Sequence, residues 1–246
     1  MMWVLVAALL TGASDAPAPP VLTAQAAPAA APSPLADALA LEAAGNDAGA
    51  LAALERLALG QPRWELPRLE AARLLLKAGS ASELDRAQAH LDAAQKEAPE
   101  NPRVYFLRGM LLEERGTTFD AIRAYEKAVG LRPSYDDARF RLAGLWARAG
   151  DFLKAEWHYR PLSKSKPEWV QVRLQLASVL EQQGRVPDAE KELLAARDAQ
   201  PTNPGVLRTL AAFYERTGRP QLAAKVRAQL AAPEKRSMRA LKPSKR

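Results

Sequence analysis

Four prolines, Pro99, Pro133, Pro167 and Pro201, stand 34 residues apart along the chain. With proline near 5% of residues, three further hits at one fixed step have odds on the order of 10⁻⁴. Other columns keep the same step: Gly116, Gly150, Gly184 and Gly218; Ala121, Ala155, Ala189 and Ala223; Gly109, Ala143, Ala177 and Ala211. A chain that repeats itself at this interval builds one small unit many times over, and each unit must bury its apolar face against the next.

The columns predict the contents of a unit. A helix runs to the glycine, which has the freedom to leave it, and a second helix runs to the proline, which ends it. The small-residue columns fall where the paired helices cross, because only Gly or Ala lets the axes approach closely. Larger residues surround them: Leu112, Trp146, Leu180 and Tyr214 on first helices, Tyr125, Tyr159 and Leu193 on second helices. Trp64, Tyr135 and Trp169 follow the unit-ending prolines by two residues and read as packing between units. Abundant alanine and leucine support the helical reading.

This pattern resembles the tetratricopeptide repeat family, and "YFLRGMLLEERGTTFDAIRAYEKAVGLRP" is its fullest match. The resemblance implies an all-α, right-handed superhelical solenoid of about six helix-turn-helix repeats, starting near residues 31, 65, 102, 136, 170 and 204. The second unit fits if three extra residues lie in the "GSASELDRA" turn; the first keeps Gly45, Ala50, Leu54, Leu57 and Pro62. Arg68, Arg139, Arg173 and Arg108 stand where the family usually has large apolar residues, so their stems are expected on the core and their charges in water. Pro161 is expected to kink or shorten its helix.

The resemblance also implies a concave groove, lined by first helices, that binds a protein or peptide partner. The positions expected to face it are Leu69, Arg73, Phe106, Met110, Phe140, Leu174, Ser178 and Arg208. Family members that grip a C-terminal carboxylate carry lysine and asparagine at such positions; here Phe106 with Met110, Phe140 with Gly144, and Leu174 with Ser178 replace them. The apolar strip, flanked by Arg73 and Arg208, suits a segment with hydrophobic anchors and some negative charge. Filling of gaps between adjacent first helices is the competing reading of the same side chains.

Nothing in the sequence points to catalysis. The chain has no cysteine, no phosphate-binding glycine loop and no H-E-x-x-H or G-x-S-x-G motif. Its two histidines, His90 and His158, lie two repeats apart and read as second-helix surface residues. No cofactor, metal or small-molecule substrate is expected. The net charge of +7 is mostly a tail property: beyond residue 233, Lys235, Arg236, Arg239, Lys242, Lys245 and Arg246 face only Glu234. The body is therefore not a general nucleic-acid surface.

The ends complete the expected organisation: a leader over residues 1–16, a Pro/Ala-rich spacer over 17–33, the repeat array over 34–232 and a basic tail over 233–246. Trp3 to Leu10 is an apolar run of signal-peptide length, followed by small residues at Ala13 and Ala16, though it lacks a basic n-region. "LLTGA" is similar to a bacterial lipobox with Ala13 in the place of the acylated cysteine, so a lipid anchor cannot form there. The expectation is an exported, periplasmic or envelope-associated scaffold, touching membrane only through an uncleaved leader. More weakly, the order of leader, spacer and repeats resembles type IV pilus pilotins and other envelope-assembly adaptors. The alternative is a cytosolic scaffold or regulator whose basic tail contacts an acidic partner or nucleic acid.

Overall fold

A computed structural model of the protein describes residues 33–231. The expected leader, the spacer up to residue 32 and the basic tail lie outside the described residues. Among the described residues all regular structure is helical, twelve helices in six antiparallel pairs: α1 (Pro34–Ala43) with α2 (Asp47–Gly60), α3 (Glu65–Ala78) with α4 (Ala81–Glu97), α5 (Pro102–Glu114) with α6 (Thr118–Leu131), α7 (Asp136–Arg148) with α8 (Phe152–Ser165), α9 (Val170–Gln182) with α10 (Val186–Ala199), and α11 (Pro204–Arg216) with α12 (Pro220–Ala231). Each helix packs on its chain neighbours, and first helices also pack on one another, α3 on α5, α7 on α9 and α9 on α11. The result is a solenoid.

The glycine column does what its spacing predicts. The residues that end the six first helices, Gly45, Gly79, Gly116, Gly150, Gly184 and Gly218, all hold φ between 72° and 82°, a region that side chains with a Cβ avoid. The step from Gly79 to Gly116 is 37 residues, and the structure puts the three extra residues in a helix, not in the turn. α4 has 17 residues where α2, α6, α8 and α10 have 14. A capping box between Ser80 and Glu83 satisfies its first turn, so "SASE" starts a helix early instead of lengthening a loop.

Pro99, Pro133, Pro167 and Pro201 each follow the C-cap of a second helix. Six residues on, a first-helix side chain returns to three of these proline carbonyls. Tyr105 Oη donates to Pro99 at 2.7 Å, Arg139 to Pro133 at 2.7 Å and Arg173 to Pro167 at 3.1 Å. Arg173 also donates to the Ser163 carbonyl, as Arg68 does to that of Ala58. These arginines do not leave their charge in water, as expected from sequence. Arg68 and Arg173 bond last-turn carbonyls at the negative end of the preceding helix, where a cation is favoured, while Arg139 reaches only the Pro133 carbonyl just past the helix. Arg108 pairs with Asp92 at 2.7 Å.

Pro161 does not shorten its helix: α8 keeps the 14 residues of α6 and α10 with the proline inside it. The proline faces solvent, so the only bond its ring removes, to the Trp157 carbonyl, lies on the wet side of the helix.

The core runs along the stack. Ala121, Ala155, Ala189 and Ala223 are sealed at the helix crossings, and Tyr125 and Tyr159 lie fully buried beneath the first helices. Half-buried side chains join one unit's cluster to the next: Leu51 between the first two, Phe106 and Met110 in the middle, Trp146 further on. Ion pairs between residues one unit apart add to the junctions, among them Lys77–Asp47, Arg148–Glu113 and Arg216–Glu181. Such exposed pairs contribute about 0–1 kcal/mol each, so apolar stacking dominates.

Gly109 is the tightest crossing: a Cβ there would lie 2.5 Å from the Tyr125 ring, whose hydroxyl is held by Glu113 at 2.6 Å. Gly109→Ala is expected to destabilise by about 1–2 kcal/mol despite alanine's better helix propensity. Gly130→Ala, which meets nothing within 4 Å, should stabilise by up to about 1 kcal/mol. Chemical denaturation of both variants checks the pair of signs.

His158 is buried, not a surface residue, and its Nδ1 has no hydrogen-bond partner among the described residues. Burial, with the Arg139 charge adding to it, pushes its pKa down to about 4. The unfolded histidine titrates near 6.5, so folding is fully favoured above that pH and loses stability as pH falls from 6.5 toward 4. Burial also lowers His90, against the opposing pull of Glu55. Stability should fall by on the order of 2 kcal/mol across that window, and His158→Leu should remove most of the slope in pH-dependent urea melts.

Candidate groove of the repeat array

A recess of about 940 Å³ opens on the concave side, walled chiefly by α5, α7 and α9. It exists because one face of each first helix is left over once its other faces pack on the second helix and on neighbouring units. That face recurs at three- and four-residue steps: Arg103, Phe106, Met110 and Glu113 on α5; Asp137, Phe140, Arg141, Gly144 and Arg148 on α7; Gln175, Ser178 and Gln182 on α9. Phe152 and Tyr159 of α8 reach its floor.

Five expected groove residues line this recess: Arg73, Phe106, Met110, Phe140 and Ser178. Three do not. Leu69 is only 1% exposed, because α3 packs directly on α5 and Val104 and Leu107 share its cluster. Leu174 is half-buried against two core clusters, and Arg208 is exposed on α11 away from the recess. The flanking arginine Arg73 is also not a free cation. It donates to Glu42 and, at 2.8 Å, to Glu70, whose other oxygen takes Arg103 at 2.7 Å.

Phe106 and Phe140 satisfy both readings of the sequence at once. Phe106 packs on Tyr125 and Tyr135 with ring centroids 5.9 and 4.9 Å away; Phe140 packs on Tyr159 and Trp169 at 5.7 and 5.0 Å. Each phenylalanine therefore bridges its own second helix to the aromatic that follows the unit's proline, and turns its remaining edge to the groove. Both are part of the inter-unit stack, so truncating them damages fold and groove together.

The middle of the groove holds what the sequence reading missed. Arg141 and Arg148 share one carboxylate, Glu113, at 3.3 and 2.9 Å, while Glu113 also accepts the Tyr125 hydroxyl. Two guanidiniums meet on a single acid there, and Asp137, with no ion pair among the described residues, is the other carboxylate of the recess. Beside them Gly144 leaves a gap in the wall of α7: a Cβ at that position would sit 3.4 Å from the Tyr159 hydroxyl. Tyr125 and Tyr214 donate to Glu113 and Glu190, but the Tyr159 hydroxyl has no hydrogen-bond partner among the described residues. Burial pushes its pKa up to about 12, so it stays a neutral donor. The signal was present at Gly144, a glycine inside a helix where the other units keep Met110 and Ser178. Arg103, Arg141 and Arg148 were legible too, one helical turn from the positions expected.

Profiles of the tetratricopeptide repeat match residues 69–118, 119–167 and 170–213, together more than half of the chain. The chain belongs to the tetratricopeptide repeat family. No curated protein matches it in sequence. Among solved structures, the protein MamA is similar at 19% identity and a TM-score of 0.59, over 67% of this chain and 94% of that one. A crystal structure of YrrB, described as a TPR protein with an unusual peptide-binding site, is 17% identical with a TM-score of 0.61, over 76% and 95%. A tetratricopeptide repeat protein from Parabacteroides merdae is 16% identical with a TM-score of 0.65, over 80% and 77%. These likenesses establish the fold. Tetratricopeptide repeats are in general non-catalytic scaffolds for protein interaction, and this chain has that architecture.

Proposed function

We propose that the protein is an adaptor that seats an extended, acidic segment of a partner protein in the groove of α5, α7 and α9. The observation that carries this reading is the centre of the groove: the unpartnered Tyr159 hydroxyl, reached past Gly144 and flanked by Arg141 and Arg148. A partner carboxylate or carbonyl would accept from Tyr159, and an apolar side chain would lie over Phe106, Met110 and Phe140. Hydrogen bonds to a charged group are stronger than neutral ones, which favours an acid at this place. The peptide-binding site named for YrrB supports peptide as the ligand class.

Gly144 supplies the decisive test. Gly144→Leu fills the gap over Tyr159, improves helix propensity and leaves the aromatic stack untouched. Peptides selected on the whole chain from a displayed random library should pair apolar with acidic residues. They should bind Gly144→Leu at least tenfold more weakly, by fluorescence anisotropy, with the melting temperature equal or higher. Unchanged affinity in the folded variant would remove the groove from consideration.

For location, the signal-like leader supports export to a bacterial cell envelope, with pilus or secretion assembly as the specialised form of the adaptor role. The cytosolic alternative, with the basic tail as a second contact, rests on the charge of residues 234–246. Envelope fractionation with a C-terminal label separates them: the exported reading expects the label outside the cytoplasm, and recovery only in the cytosol overturns it.

A further inference from the structure

The outer face of α8 breaks the repeat. Leu153, Trp157 and Pro161 follow one another at four-residue steps and therefore share one stripe of the helix. Leu153 is 74% and Trp157 66% exposed, and with Glu156, Arg160 and Lys164 the three line an open depression of about 500 Å³. One unit earlier and one unit later, the position of Trp157 holds Arg123 and Lys191. The neighbouring units thus put a solvated charge at this place. Phe119, the counterpart of Leu153 on α6, is itself 70% exposed and extends the apolar surface by one unit. The ring touches His158 edge-on at 4.5 Å between centroids but leaves most of its surface in water, where the units on either side carry a cation. It is a rigid, large-area anchor of the kind that dominates interfaces.

The surrounding charge says what would cover it. Arg139 lies 5.8 Å from the Trp157 ring centroid, Arg160 borders the stripe, and Lys164 has no ion pair among the described residues. The one acid in the depression, Glu156, is already taken by Arg160, Arg185 and Gln183. Although burial alone would raise its pKa, those donors hold it below the usual carboxylate range, so it remains a compensated charge. The rim is therefore positive. A second copy of the chain would set two positive rims against each other, which disfavours it as the occupant.

We propose that the outer face of α8 is a second docking surface, taking an acidic, amphipathic segment of a partner protein. Its apolar side chains would lie on Leu153, Trp157 and Pro161, and its carboxylates would meet Arg139, Arg160 and Lys164. This surface is independent of the groove, which α8 meets through Phe152 and Tyr159 on its other side. The protein would then hold two partners on opposite faces of one unit.

The test uses the full chain carrying Gly144→Leu, so that groove binders are suppressed and failure here is distinct from failure of the groove. Displayed random peptides selected on this chain should combine Leu, Phe or Trp with Asp or Glu. Synthesised with a fluorophore, they should bind Trp157→Glu and Trp157→Lys, the latter the residue of the next unit, at least tenfold more weakly. Both variants should melt within a few degrees of the parent, since the ring is mostly in water. Peptides that are basic, or that bind both variants unchanged, overturn the proposal. So does retention of phosphatidylglycerol vesicles that depends on Trp157, which would make the surface a lipid contact. A dimer in sedimentation velocity that Trp157→Glu abolishes would likewise replace the partner with a second copy.

Discussion

The close crossing of the two helices within each unit is the contact on which the rest of the molecule depends. At that crossing a column of Gly and Ala lets a second-helix side chain slide beneath the first helix, and in the middle units that side chain is a tyrosine. Tyr125 and Tyr159 are fully buried. From this position they do two things. They fill the core of their own unit, and they provide the surface on which Phe106 and Phe140 lean toward the next one. A solenoid has no single centre, so its stability is the sum of such unit interiors and unit junctions. Here the same four rings serve both.

The groove follows from that packing as its remainder. Because the phenylalanines are needed at the junctions, the concave wall inherits an aromatic floor, and polar character enters only where the repeat is locally altered. Gly144 is one such alteration. Its missing side chain uncovers the Tyr159 hydroxyl, whose counterpart one unit earlier, that of Tyr125, donates to Glu113. The absence of a glutamate partner at Tyr159, beside two arginines sharing Glu113, leaves a packing residue with an unfilled donor at the floor of the recess. The outer face of α8 shows the converse alteration: a charged column acquires a tryptophan. Both changes fall in the same unit, between residues 136 and 165, and they point in opposite directions across it.

Much of this was readable before any coordinates. The 34-residue columns identify the unit, the turn glycines, the proline stops and the small-residue crossings, and each does what its chemistry implies. The candidate groove was only partly legible. At most two positions per first helix were expected to face it, whereas the helix faces there carry three to five, so Arg103, Arg141 and Arg148 went unassigned. Leu69 was misplaced because α3 packs directly on α5, sealing Leu69 beside Val104 and Leu107, a closure between units that the pattern of one unit does not carry. The arginines in apolar columns were misread for a related reason: a pattern of residue types does not say that a neighbouring helix end lies within reach of a guanidinium.

The sequence by itself determined the repeating unit, its helical content and its open architecture, because these rest on local preferences and on a period that any single unit displays. Only the tertiary structure decided which donors remain without acceptors, which arginines are spent on helix ends and which tryptophan stays in water. Those are properties of distances between units. A one-dimensional pattern fixes which residues recur, but whether a given hydroxyl or ring finds its partner depends on how far each hairpin turns against the next.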